Sequence, residues 1–244
     1  MVRATGRSPQ QEIMEKPMNK KMVLTYFAVE YLSVAVVGAV IMLSAGRMDW
    51  WPAWAVVAVM ALNLTAVGIV LLRFQPNLMA ERMHPPKSAK NWDRTLVSIL
   101  RLTQFARYII GGLGLRYGWT QGFPLWLQIA GIAGCLLGYA LFAWAMASNS
   151  FFSQVVRVQS DRGHSVAAGG PYHFVRHPSY AGMIIFEFAM SALLGSWWAL
   201  LAGAVCVGLF VLRTALEDRT LRAELPGYEE YAQKVKYRLI PGVW

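Results

Sequence analysis

The chain has 244 residues, of which 56% are hydrophobic and only 15% are charged, whereas soluble domains average about 25% charged residues. With ten tryptophans, this composition indicates an integral membrane protein. In such a protein, Lys and Arg retained at the cytoplasmic face explain a net charge of +10 better than nucleic acid binding does. The two cysteines, Cys135 and Cys206, each lie in an apolar run, so they provide neither a disulfide framework nor a metal site.

Apolar runs predict an all-α, polytopic membrane protein with about six membrane segments. A spanning helix needs ~20 mostly apolar residues. The runs are Met22–Ala45, Pro52–Leu72, Leu96–Leu115, Phe123–Ala147, Tyr180–Leu194 and Trp197–Leu212. Arg101 and Arg107 interrupt the third run and are expected to snorkel toward the preceding loop. The last two runs have ~16 residues each, shorter than a full span, and predict a helical hairpin that turns back at Gly195-Ser196.

Charge predicts the orientation. Residues 1–21, the loop 73–94, the segment 157–176 and the end from residue 213 hold five, five, three and six of the 23 basic residues. The joints on the other side hold only Arg47 and Arg116. Basic residues favour the cytoplasmic side, which predicts both termini inside, in the inner membrane if the cell is bacterial. Residues 1–21 are predicted to be a disordered cytoplasmic tail, and residues 22–244 one domain.

A polar segment, RVQSDRGHSVAAGGPYHFVRHPSYAG (157–182), stands out in the apolar second half of the chain and holds three of the four histidines. Pro178 suits the first turn of a helix, where backbone N–H groups are free to bind a ligand. Arg213 and Glu217, four residues apart, share one face of the last span. An ordinary interfacial loop with a surface ion pair would explain each feature alone, but the whole cluster favours a site. Glu30 lies mid-span and remains a candidate outside that site.

Several soluble-enzyme signatures are absent from the sequence. It has no phosphate-binding glycine loop, no dinucleotide-binding glycine pattern, no nucleophile elbow and no paired His/Cys spacing for a metal. A cofactor, if one binds, is therefore expected to be held by a membrane fold of its own kind.

The sequence from Gly170 to Gly182, GPYHFVRHPSYAG, followed by RTALED at 213–218, resembles the isoprenylcysteine carboxyl methyltransferase family. That family and the related phospholipid N-methyltransferases are integral membrane enzymes that use S-adenosylmethionine. The motifs GYEEY (227–231) and YRLIP (237–241) also look like that family's end, and PNLMAER (76–82) is similar to its bacterial members. The close resemblance covers residues 149–241, and residues 22–148 match mainly in hydropathy.

The resemblance implies a cofactor-binding half at residues 149–244, following four spans in residues 22–148. The cofactor-binding residues would be Arg157, His164, Ser165, Val166, Ala167, Tyr172, His177, Pro178, Ser179, Tyr180 and Glu217. Arg213 would face the lipophilic acceptor, and Arg213 and His177 are the candidate catalytic residues. Asp218 stands where many members have Glu, which leaves its role open.

Methyl transfer is consistent with these residue types. The enzyme must align acceptor and methyl and exclude water. Arg213 could hold an acceptor carboxylate bidentately, whereas an amine must lose a proton, for which His177 or Glu217 would be candidates. The acceptor would enter laterally from the bilayer, with neither nucleic acid nor metal as a partner.

Two alternatives remain open from the sequence. A membrane NADPH-dependent sterol-type reductase has a similar C-terminal half, but it usually carries Asn at the position of Ser179 and an acid shortly after, which this chain lacks. A non-catalytic membrane scaffold would keep the fold and bind no cofactor.

Overall fold

The structure is a computed structural model that describes residues 20–83 and 89–244. Within those residues it contains eight α-helices and no β-strand, which confirms the predicted all-α class. The predicted disordered tail lies outside the described residues except for Lys20 and Lys21, which form the first turn of the first helix. The helices are α1 Lys20–Ala45, α2 Trp51–Phe74, α3 Pro76–Met83, α4 Asn91–Arg116, α5 Leu125–Ala147, α6 Pro178–Leu193, α7 Trp197–Glu224 and α8 Tyr228–Lys234.

Four helices, α1, α2, α5 and α7, are long and apolar enough to cross a membrane. Helix α4 has 26 residues but carries charges along its length, as the third apolar run predicted. Helix α6 is apolar but has only 16 residues. The protein is therefore a multi-pass membrane protein whose long helices all come from predicted apolar runs.

The hairpin of α6 and α7 forms as predicted, but its second arm is longer. Gly195 turns the chain with φ +63°, and the Ser196 hydroxyl caps α7 by accepting a hydrogen bond from the N–H of Ala199 at 3.3 Å. The arm predicted to end at Leu212 continues to Glu224, which makes α7 28 residues long. At 1.5 Å per residue that is about 42 Å, enough to cross a bilayer core and extend beyond it. Apolarity ends at Leu212, but the following residues are good helix formers, so the helix continues.

Helix α6 packs closely on α5 because glycines remove side chains from the contact. A Cβ atom at Gly138 would lie 2.5 Å from the carbonyl oxygen of Gly182, and one at Gly182 would meet the backbone of α5 equally closely. Small residues allow helix backbones to approach in membranes. This contact fixes the first turn of α6, where Ser179 and Tyr180 lie.

Arg107 does not snorkel, so that expectation was wrong. Its side chain is only 1% exposed, and it forms an ion pair with Glu187 of α6 and a hydrogen bond of 3.3 Å to the hydroxyl of Tyr108. Glu187 is an acid inside the predicted apolar run of α6, and its carboxylate offers the guanidinium a partner within the bundle. The Arg101 side chain is exposed.

Candidate active site

A cavity of about 510 Å³ lies where the polar loop 148–177 meets the ends of α4, α6 and α7. Ten of the twelve residues predicted for the site line it. They are Arg157, His164, Val166, Ala167, Tyr172, His177, Ser179, Tyr180, Arg213 and Glu217. We call this space the site cavity.

The two other predicted residues lie outside its lining. Ser165 is exposed on the loop. Pro178 is buried as the first residue of α6, where its ring suits the helix start as the sequence indicated. Their predicted cofactor contacts stay predictions, and Pro178 positions the neighbouring His177 and Ser179, which line the cavity.

Tyr180 joins the two helices of the hairpin at the cavity wall. Its hydroxyl donates a short hydrogen bond to Glu217, and its ring lies parallel to that of His177, with centroids 5.9 Å apart. The guanidinium carbon of Arg213 lies 5.2 Å from the Tyr180 ring centroid, within the range of a cation–π contact. The predicted residues from loop, α6 and α7 thus form one continuous surface.

Arg213 is held by Asp93, a buried residue of α4 that the sequence analysis missed. Arg213 Nε donates to Asp93 Oδ1 at 2.7 Å, and Nη2 donates to Asp93 Oδ2 at 3.2 Å and to the carbonyl of Gln154 at 2.8 Å. Asp93 Oδ2 also accepts the N–H of Val156 at 2.8 Å. The bidentate edge expected to grip an acceptor carboxylate is therefore already occupied, and Nη1 is the nitrogen without a hydrogen bond among the described residues.

Asp218, whose role the sequence left open, is the centre of a buried ionic network. It accepts hydrogen bonds from Arg176 Nε at 2.7 Å, Arg238 Nε at 2.9 Å and the hydroxyl of Tyr228 at 3.0 Å. These partners come from the polar loop, the C-terminal segment and α8, so Asp218 fastens all three to α7. The GYEEY and YRLIP motifs contain two of these partners, Tyr228 and Arg238, and were the signal available in the sequence.

His177 lies at the edge of that network. Its Nε2 is 3.4 Å from Asp218 Oδ1 and 3.3 Å from the hydroxyl of Tyr228. Burial and the Asp218 carboxylate raise the pKa of Tyr228 well above its ordinary range, so this hydroxyl keeps its proton. One ring nitrogen of His177 is thus committed to the network while the residue still lines the site cavity.

Arg157 connects the loop to α3. Its Nη2 donates to Glu81 Oε2 at 2.9 Å and to Gln159 Oε1 at 3.2 Å, and Glu81 also accepts the hydroxyl of Ser153. Arg157 Nε is buried without a hydrogen-bond partner among the described residues. The PNLMAER motif was recognised in the sequence, but the contact of its Glu81 with Arg157 was not foreseen.

His164 is held in the neutral form. Its Nδ1 accepts the N–H of Gln159 at 3.2 Å, and its ring stacks on Phe151 with centroids 4.6 Å apart. Partial burial, followed by the positive charges of Arg157 and Arg162, lowers the pKa of His164 below its ordinary value. In the described part of the chain, no group of three or more His, Cys, Asp or Glu side chains is placed to hold a metal.

Comparison with known proteins shows which family this chain resembles. The model of the isoprenylcysteine carboxyl methyltransferase family matches residues 129–223. Protein-S-isoprenylcysteine O-methyltransferase B of Arabidopsis thaliana is 26% identical over 143 residues, 57% of this chain and 70% of the relative. The Schizosaccharomyces pombe protein-S-isoprenylcysteine O-methyltransferase is 31% identical over 103 residues, 41% of this chain and 44% of the relative.

A solved eukaryotic intramembrane Ras methyltransferase, itself an isoprenylcysteine carboxyl methyltransferase, superposes with a TM-score of 0.48 at 16% identity over 95% of this chain and 100% of that one. The apolar helices define the class, a multi-pass membrane protein, and the sequence matches are to methyltransferases. Within that class, the matches confirm the resemblance to the isoprenylcysteine carboxyl methyltransferase family that the motifs indicated.

Proposed function

We propose that this protein transfers a methyl group from S-adenosylmethionine to a lipophilic acceptor, with the site cavity as its active site. The observation that carries the proposal is that ten residues chosen from motif and resemblance, spread from residue 157 to 217, line one cavity. An isoprenylcysteine-like carboxylate is the leading acceptor, because the curated relatives are named for that substrate. A membrane lipid is the other acceptor class.

The walls of the site cavity suit this cofactor. Its volume of about 510 Å³ lies within the range of small-molecule sites, ~300–1,000 Å³. Arg157 would bring positive charge to the cofactor carboxylate, and Phe151, His164 and Tyr172 offer aromatic surface for the base. Glu217 supplies negative charge for the cationic part of the cofactor. When bound, S-adenosylmethionine supplies an electrophilic methyl group on a sulfonium.

Arg213 is assigned to the acceptor. Because Asp93 and the Gln154 carbonyl engage Nε and Nη2, the acceptor oxygen would be met by Nη1 alone. A guanidinium fixed in this way is pre-organised, so little side-chain freedom is lost when the acceptor binds. Its charge would orient a carboxylate acceptor, which needs no general base.

His177 has a role that depends on the acceptor. For an amine, a group must take a proton, and His177 lies on the cavity with Asp218 beside its Nε2 to stabilise the charged imidazole. For a carboxylate, His177 would serve with Tyr180 as a wall of the cofactor pocket. The pH dependence of turnover with each acceptor class would separate these roles.

The two ligands are proposed to enter from different directions. The predicted N-in, C-in orientation would open the polar loop to the cytoplasm and thus to the cofactor. Val97, Leu100 and Gln104 of α4 also line the site cavity, and the neighbouring Ile99 and Leu102 are exposed on that helix. An acceptor in the bilayer would therefore reach the cavity beside α4.

The direct test is to incubate membranes containing the protein with methyl-labelled S-adenosylmethionine and to identify the labelled lipid or protein. Labelling that requires the protein and is lost in Arg213→Ala would support the assignment. Calorimetry with S-adenosylhomocysteine and with NADPH adds a test of the cofactor class, and binding of NADPH alone would favour the reductase alternative.

Variants test the cofactor pocket separately. His177→Ala and Glu217→Ala should each weaken the affinity for S-adenosylhomocysteine, while Arg213→Ala should retain it and lose turnover. Glu230→Ala, which removes an exposed carboxylate of α8, is the matched control for Glu217. Unchanged affinity in both pocket variants would remove the site assignment.

A further inference from the structure

Arg101 of α4 lies where the site cavity joins a second cavity. That second space, which we call the core cavity, has a volume of about 480 Å³ and lies deeper in the bundle, among α1, α2, α4 and α6. Arg101 lines both cavities and is an exposed residue. Its guanidinium is therefore accessible to a ligand at the junction of the two spaces.

The face of α4 that carries Arg101 points into the bundle. Four residues of α4 line the site cavity, spaced three or four positions apart as on one face of a helix. They are Val97, Leu100, Arg101 and Gln104. Gln104 donates a hydrogen bond of 2.6 Å to the buried carboxylate of Glu187 in α6, which shows that this face is turned inward.

Arg101 differs from the four other arginines that line the site cavity. Three of these are held by a carboxylate. The pairs are Arg157 with Glu81 at 2.9 Å, Arg176 with Asp218 at 2.7 Å and Arg213 with Asp93 at 2.7 Å. The fourth, Arg82, donates to the hydroxyl of Tyr26 at 3.3 Å. Arg101 has neither an ion pair nor a hydrogen bond with any residue that the structure describes.

The junction of the cavities has a surplus of positive charge. Arg82 and Arg101 both line the two cavities, whereas Glu30 is the single acid in both linings among the described residues, and it forms an ion pair with neither arginine. Ionisable residues at membrane depth mostly face a cavity and mark the path of a substrate. A ligand with one negative charge would balance this surplus, and a neutral ligand would leave it in place.

The position of Arg101 favours the acceptor over the cofactor. Arg157, His164 and Tyr172, which are assigned to the cofactor, line the site cavity but not the core cavity. Arg101 lines both, and its neighbour Leu102 is 70% exposed on the side of α4 where the acceptor is proposed to enter. An acceptor that arrives from the bilayer therefore meets Arg101 on its way to the cofactor.

Arg213 alone cannot grip a carboxylate with two nitrogens. Its Nε and Nη2 are engaged by Asp93 and by the Gln154 carbonyl, which leaves Nη1. Side chains of an α-helix lean toward its N-terminus, so Arg101 leans toward the end of α4 where Asp93 holds Arg213. A guanidinium whose donors are all unengaged can supply the bidentate contact that Arg213 cannot.

We infer that Arg101 binds the carboxylate of the methyl acceptor and is a specificity-determining residue that selects acidic acceptors over neutral ones. Arg101 provides the bidentate contact, and Arg213 adds Nη1 from α7. The inference rests on the proposed function, since it concerns the acceptor of that reaction. Arg101 lies outside residues 129–223, the part of the chain that the family model matches.

The test compares two probes that differ in charge. N-acetyl-S-farnesylcysteine carries a carboxylate, and its primary carboxamide has nearly the same size and no charge. Each is added to the purified full chain in detergent without cofactor, and tryptophan fluorescence follows the apparent unfolding temperature as the concentration rises. We expect the wild type to bind the acid roughly tenfold more tightly than the amide, the value of one charge-assisted hydrogen bond.

Arg101→Gln should remove that preference, and Arg101→Lys should restore part of it, because an ammonium keeps the charge but not the bidentate geometry. With labelled cofactor and the acid as acceptor, Arg101→Gln should raise KM about tenfold while kcat falls less than about threefold, the pattern of lost substrate binding. Arg73→Gln, which removes an exposed arginine of α2 that lines neither cavity, is the matched control and should keep the preference.

Equal binding of the two probes by the wild type would overturn the inference, and so would a preference for the acid that survives in Arg101→Gln. Loss of S-adenosylhomocysteine binding in Arg101→Gln would also overturn it, since Arg101 would then belong to the cofactor pocket. S-adenosylhomocysteine tests the proposed function separately. Its failure to stabilise the wild type would count against the methyltransferase site, whereas the comparison of the two probes needs no cofactor.

Discussion

At the scale of single residues, the site depends on acids that hold cations in place. Asp93 is fully buried at the start of α4 and contacts Arg213 through both carboxylate oxygens. It also binds the backbone of Val156, so one side chain fixes α7 and the polar loop together. If Arg213 orients the acceptor, Asp93 sets the position of its guanidinium without touching the acceptor itself.

Asp93→Asn should therefore impair turnover while the cofactor still binds. The amide keeps the shape but loses the charge that holds Arg213, so we expect kcat to fall about 10- to 100-fold, the range for a misplaced catalytic group. The affinity for S-adenosylhomocysteine should change less than about twofold, which is a small change in binding free energy. Kinetics with labelled cofactor and calorimetry measure the two quantities.

Asp49→Asn is the matched control for Asp93. Asp49 is an exposed partner of Arg47 in the joint between α1 and α2, where an ion pair is worth little. Equal loss of turnover in both variants would point to general destabilisation. Loss of cofactor binding in Asp93→Asn would mean that Asp93 organises the cofactor pocket rather than Arg213.

His164 gives the folded protein a specific pH response. Because burial and the nearby Arg157 and Arg162 lower its folded-state pKa, the unfolded chain takes up a proton at a higher pH than the folded chain does. The contribution of His164 to the free energy of unfolding is constant above pH 6.5, the ordinary pKa of histidine. Stability then falls as the pH drops from 6.5 toward the lowered pKa of the folded state.

His164→Gln should therefore reduce the loss of unfolding temperature between about pH 8 and about pH 5, a range that brackets an ordinary histidine pKa. The measurement is the apparent unfolding temperature of both proteins at each pH. His173→Gln, at an exposed histidine of the same segment, controls for the loss of an imidazole. An identical pH response in wild type and His164→Gln would show that His164 is not held neutral.

At the scale of helices, the contact between α5 and α6 sets the position of the site. Gly182→Ala places a methyl group against the backbone of α5, which cannot move aside like a flexible side chain. Overpacking of this kind costs typically ~1–3 kcal/mol. We expect a lower unfolding temperature and weaker cofactor binding, because Ser179 and Tyr180 lie in the displaced first turn of α6.

Gly208→Ala is the control for Gly182→Ala. Gly208 lies in α7, and an added Cβ there meets no atom within 4 Å. Alanine is the better helix former, so this variant should be as stable as the wild type or slightly more stable. A tolerated Gly182→Ala would mean that the two helices can separate without disturbing the site.

The sequence predicted the helices well because apolar runs report burial in lipid directly. It also predicted the cluster of site residues, since polar groups stand out in an apolar chain. It could not predict the ion pairs that organise the site. Asp93 and Arg213 are 120 residues apart, Arg107 and Glu187 are 80 apart, and Arg176 and Asp218 are 42 apart. Such pairs form only when distant segments pack together, and no local sequence pattern predicts them.

At the scale of the whole molecule, contacts between distant segments gather the polar loops at one end of the bundle. Lys90 binds Glu224 at 2.7 Å, Gln75 binds the carbonyl of Asn149 at 3.1 Å, and Asp93 binds Arg213. The joints at residues 46–50 and 117–124 lie at the other ends of the same helices. The basic residues concentrate at the first end, and the positive-inside rule therefore predicts that this end faces the cytoplasm.

Cysteine labelling tests that orientation. Met48 in the joint between α1 and α2 is 69% exposed, and Glu230 in α8 is exposed, whereas the native Cys135 and Cys206 are buried. In sealed right-side-out vesicles, we expect Met48→Cys to react with an impermeant maleimide at once and Glu230→Cys to react only after permeabilisation. The wild type controls for the native thiols. The opposite pattern would place the site cavity on the outer face, away from a cytoplasmic supply of cofactor, and would contradict the proposed entry route.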